Sequence, residues 1–74
     1  MTNLEAGNAR RAEAYASMNA GDYAAAARGY THAAEQFERV WWEMHRTTKS
    51  PDAQIMRQEA SKAIRARDQK EAAA

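Results

Sequence analysis

A chain of 74 residues with a net charge of +1 and no cysteine makes one domain at most, and that domain must fold without disulfides or thiolate-bound metal. Its 45% apolar content is mostly alanine: 19 alanines leave only 14 larger apolar side chains, which barely offset the entropy of ordering the chain, so self-association is one ordinary remedy. Charge is spread evenly, at 0 for residues 1–21, −1 for 22–48 and +2 for 49–74, which excludes the footprint of a strong nucleic-acid binder.

No run approaches the ~20 apolar residues of a membrane span, and "MTNLEAGNARR" lacks the apolar core of a signal peptide. A soluble, cytoplasmic protein is the expectation. Helix formers dominate and period-2 alternation is absent, so the chain reads as all-α: a small antiparallel three-helix bundle with helices at about 3–19, 22–46 and 51–67. Residues 1–67 form its single domain and 68–74, "DQKEAAA" with no apolar partner, a frayed tail.

The first helix opens on a capping box, Thr2 with Glu5, and places Leu4, Ala12, Tyr15 and Met18 on one face. Asn19 and Gly21 suit the left-handed turn that ends it, and Asp22 can cap the next helix. In that second helix Tyr23, Tyr30, Phe37 and Met44 recur every seven residues, with Ala26, Ala33 and Val40 between them. Alternating large and small residues lets the first helix approach at the alanines while the aromatics fill the flanks. Ser50, Pro51 and Asp52 start a third helix, whose thin apolar face is Ala53, Met56, Ala60, Ala63 and Ile64, with Ile55 to one side.

The tandem tryptophans of "ERVWWEMHR" raise the functional question. With Phe37 at zero and about 100° per residue, Trp41 falls near 40° in the seam, whereas Trp42 falls near 140° among Glu35, Arg39 and Arg46. An indole on a polar face suits an interface, because tryptophan and arginine are enriched at binding hot spots. Arg39, Trp42 and Arg46 are therefore the candidate partner-binding residues, and Tyr23, Tyr30, Phe37, Val40, Trp41 and Met44 the expected core. Self-association through the second helix, a dimer first of all, would let two copies cover each other's indole.

"GDYAAAARGYTHAAEQF" is similar to the hairpin of tetratricopeptide repeats, matching at Gly21, Asp22, Tyr23, Ala26, Tyr30 and Ala33, with Ala14 at the small position of the first helix. Arg10 stands where the repeat carries an aromatic and Glu38 where it has its helix-ending proline. There is room for one hairpin, where stacking needs about three. One hairpin with a prolonged second helix and one further helix looks more like the microtubule-interacting and trafficking domain. That resemblance implies a three-helix bundle that captures a partner's amphipathic helix in a groove beside its third helix.

Nothing in the sequence points to catalysis. His32 and His45 fall near −140° and 80° on the same wheel and cannot share a ligand. Ser17, Ser50 and Ser61 have no nearby base, and the three glycines form no phosphate-cradling loop. Glu35 and Arg39 make an i,i+4 surface pair. No cofactor and no metal are expected. The alternative to protein binding is a weak nucleic-acid face on the third helix, Arg57, Lys62 and Arg65, interrupted by acids. The sequence thus reads as a small interaction module, not an enzyme, and its alanine and arginine usage suits a bacterial or phage accessory protein that binds a host protein.

Overall fold

A computed structural model describes residues 2–73, which form three helices: α1 (Asn3–Asn19), α2 (Tyr23–His45) and α3 (Pro51–Ala73). Each boundary has a local cause. Thr2 accepts the Glu5 amide at 3.1 Å while Glu5 reaches back to the Thr2 backbone, closing the capping box. At the other end Gly21 adopts φ 80°, and the Asp22 and Gly21 amides donate to the Ser17 and Met18 carbonyls. This is a Schellman closure, in which glycine alone avoids a Cβ penalty. Asp22 and Ser50 cap α2 and α3, accepting from the Ala25 and Ala53 amides. α3 continues past Arg67, where its apolar face thins out, to Ala73, through a stretch rich in good helix formers.

α2 is the central element. Antiparallel packing follows from the residues in register: Gly7 meets Phe37 and Ala14 meets Gly29 along α1 and α2, while Glu38 pairs with Arg57 and Tyr23 lies under Lys70 along α2 and α3. α1 and α3 each pack on α2 and scarcely touch one another. The bundle is accordingly spread sideways, with extents of 45 × 22 × 12 Å, and a cleft runs between its outer helices.

The core is built from small residues with three large ones among them. Ala26, Ala33, Ala34 and Ala63 are fully buried, Ala14 and Ala53 nearly so, and Tyr30, Phe37 and Met56 are the large buried side chains. Helices approach closely where alanine and glycine face each other. A Cβ on Gly29 would lie 2.8 Å from that of Ala14, and one on Gly7 would lie 2.8 Å from the Phe37 ring.

This packing corrects the expected core in three places. α1 turns Gly7 and Ala14 to α2, and so Leu4, Ala12 and Tyr15 are exposed, with only Met18 of that expected face partly buried. Met44 is 68% exposed, because the register of 7 with 37 and 14 with 29 carries α2 past the start of α1. Ile64 is exposed, since the alanines of α3 set the direction of contact. Tyr23, Val40 and Trp41 are half-buried rather than enclosed.

Two stability predictions follow from these contacts. Gly29→Val forces the Ala14 backbone away and should cost about 1–3 kcal/mol in urea unfolding; an unchanged midpoint would overturn the close approach of α1 to α2 at this position. Arg46 closes α2 in the left-handed conformation, φ 57°, which disfavours any side chain with a Cβ. Arg46→Gly should therefore raise stability by about 0.5–1 kcal/mol, read as a higher melting temperature.

Candidate functional site: two faces of a flat bundle

Trp42 projects from α2 and is 48% exposed. It lines a shallow groove of about 370 Å³ with Glu35, Glu38, Arg39, Glu43 and Thr48. Arg39 is therefore brought beside Trp42. Arg46, by contrast, is not part of the groove wall: it forms the helix cap, its amide donating to the Trp42 carbonyl at 2.9 Å. The groove is acid-rich, with three glutamates to one arginine.

Glu38 is engaged there by Arg57 of α3 in a two-pronged pair, Nε to Oε2 at 3.1 Å and Nη2 to Oε1 at 2.7 Å. This pair pins α3 to α2 and raises the Arg57 pKa, chiefly through the hydrogen bond. The expected Glu35–Arg39 pair is not among the ion pairs of the described residues, consistent with the small worth of exposed pairs against side-chain entropy. Trp41 packs against His45 with the rings tilted by 40° and their centroids 4.1 Å apart.

The three basic residues considered for nucleic acid do not form one face. Arg57 is held by Glu38 and Lys62 by Glu59 at 3.1 Å, and on the α3 wheel Arg57, Arg65 and Lys62 spread over about 140°. Two of three charges are thus answered within the chain before any phosphate arrives. No group of histidines and carboxylates that could hold a metal ion occurs among the described residues. No helix among them is long and apolar enough to cross a membrane.

The sequence did not single out the opposite side, where the cleft between α1 and α3 opens. Arg11, Ala12 and Tyr15 form one wall, Ile55, Met56 and Glu59 the other, and Tyr30 the floor, around a groove of about 490 Å³. Its lining is largely apolar. Burial raises the Tyr30 phenol pKa, with smaller contributions in the same direction from Glu59 and Tyr15. The available signal was a second stripe on α1: Leu4, Arg11 and Tyr15 at i, i+7 and i+11, about 70° around the helix from Gly7 and Ala14.

No protein-family model matches this chain, and neither a curated protein nor a solved structure matches it. The chain itself is a small all-helical three-helix domain.

The raised Tyr30 pKa carries a pH signature. A phenol whose folded pKa lies above its unfolded value of about 10 contributes stability that is complete below that value and is lost as pH rises through the folded pKa. The Tyr30 contribution should therefore be level up to about pH 9 and fall above 10, and Tyr30→Phe should flatten the alkaline limb of stability relative to wild type. An identical alkaline limb in the variant would remove Tyr30 as its source.

Proposed function

We propose that this chain is a protein-interaction module that works in self-associated form and carries no catalytic activity. The observation that supports this reading is an imbalance in the placement of its large apolar side chains. Leu4, Tyr15, Trp42, Met44, Ile55 and Ile64 are exposed, whereas Tyr30, Phe37 and Met56 are the large residues inside. A domain that turns out more large apolar side chains than it encloses carries surface suited to cover by other protein.

The Trp42 groove is the surface offered to a second protein. Arg39 and Trp42 supply the residue types that dominate hot spots, and Arg46 stands one turn beyond. Glu35 and Glu43 favour a partner helix that brings a lysine or arginine to the indole face. Helix-in-groove capture is also the mode implied by the likeness of the three-helix arrangement, built on a Gly21–Phe37 segment similar to the tetratricopeptide hairpin, to the microtubule-interacting and trafficking domain. An accessory protein of bacterial or phage origin acting in the cytoplasm fits this module. Nucleic-acid binding through Arg57, Lys62 and Arg65 is the lesser reading, given their ion pairs.

Sedimentation equilibrium over a concentration series tests the self-association. The wild type should show a mass that rises with concentration toward twice that of the chain. A mass that stays monomeric across the series would overturn the self-associating form.

A further inference from the structure

The sequence placed self-association on the Trp42 face of α2, but the exposed large apolar side chains are not evenly distributed and favour another face. Tyr15 and Ile55 line the walls of the cleft between α1 and α3. Leu4 continues the stripe of Arg11 and Tyr15 on α1, and Met44 continues the line of Tyr30 and Phe37 on α2. Four of the six exposed large apolar side chains thus open on this one side. Trp42 stands about 120° around α2 from Tyr30, beyond the line where α3 packs.

The charges of the same cleft carry a direction. Arg11 stands on the α1 wall and Glu59 on the α3 wall of one groove, hence at one height along the helices. Arg11 has no ion-pair partner among the described residues, and Glu59 has only Lys62, one turn along its own helix. We propose that a second copy of this chain seats face to face on the α1–α3 cleft, about a two-fold axis parallel to the helices that sets Arg11 of each copy against Glu59 of the other.

The axis direction follows from geometry. Rotation about an axis along the cleft lays α1 of one copy over α3 of the other at the same height, so both Arg11–Glu59 contacts form. Rotation about an axis across the cleft at the height of these residues would lay α1 on α1, with Arg11 against Arg11 and Glu59 against Glu59. Only the first is self-complementary, as an isologous interface must be. Tyr15 and Ile55, one turn to either side of the charged level, then flank the Arg11–Glu59 contacts with apolar surface from both copies. The broad face of 45 × 22 Å is large enough for the roughly 800 Å² per partner of a standard interface.

This inference rests on the self-associating reading above and assigns its face, leaving the Trp42 groove free for a different protein. Charge reversal tests it. Arg11→Glu alone and Glu59→Arg alone each place like charges across both contacts, and each should weaken the dimer at least roughly tenfold by sedimentation equilibrium. The chain carrying both changes should recover the wild-type constant, as should an equimolar mixture of the two single variants, in which every crossing contact is again opposite in sign. Tyr15→Lys, at a side chain 63% exposed in the monomer, should dissociate the dimer with an unchanged circular dichroism spectrum, so that weakened association is not misread as misfolding. Trp42→Ala should remain dimeric.

Weakening in the single variants without recovery in the double variant or the mixture would overturn the axis. Dissociation by Trp42→Ala with the charge variants unaffected would overturn this face while leaving the interaction module standing. A wild type that is monomeric throughout would overturn both.

Discussion

The close approach of α1 to α2 is the constraint on which the rest of this structure depends. Ala14 faces Gly29 with no space for another methyl, and Gly7 receives the Phe37 ring. Contacts of this kind need small residues on both helices, and once α1 spends its small stripe on α2, its larger stripe must lie elsewhere. Leu4, Arg11 and Tyr15 are therefore on a flank, facing the cleft or solvent. α3 repeats the arrangement, turning Ala53, Ala60 and Ala63 inward with Met56 and leaving Ile55 and Ile64 outside. Alanine at the contacts brings backbones together, which gains dispersion energy, while it displaces larger apolar groups to the surface.

That trade explains the flat shape as well. Two outer helices held tightly to α2 along separate lines need not meet each other, and here they scarcely do. Tyr30 and Phe37 are buried, Tyr30 at the floor of the cleft between the outer helices and Phe37 against Gly7 of α1. The cleft above is what a third side of contact would have closed in a triangular bundle.

Much of this was legible in the sequence because the signals were local. The capping box at Thr2, the turn at Gly21, the cap at Asp22 and the Ser50–Pro51 start each depend on residues within a few positions, and each helix began within a residue of its expected place. The heptad of α2 correctly named Tyr30 and Phe37 as core. What it could not supply was register: Met44 lies in the same stripe, yet α1 does not extend far enough to cover it. Nor could it say which stripe of α1 faces inward, since Leu4 and Tyr15 outweigh Gly7 and Ala14 on any hydrophobic scale. Backbone proximity reversed that order. At the candidate site, the helical wheel placed Trp42 on an open polar side beside Arg39, but the engagement of Glu38 by Arg57 joins residues far apart in sequence and had no local signal.

Two open faces on one small domain differ in what each can recognise. The α1–α3 cleft has an arginine on one wall and a glutamate on the other at one height, a pattern that complements itself under two-fold rotation. The Trp42 groove has no such symmetry, because glutamates outnumber its single arginine and a second copy would bring more of the same charge. On the proposed reading, self-recognition belongs to the first face and recognition of a basic partner to the second. A dimer formed on the cleft would be a closed pair, since an isologous contact uses up its own surface. It would also carry two copies of the Trp42 groove, and a partner that presents two basic helices could engage both at once, gaining effective concentration without a new contact in either groove.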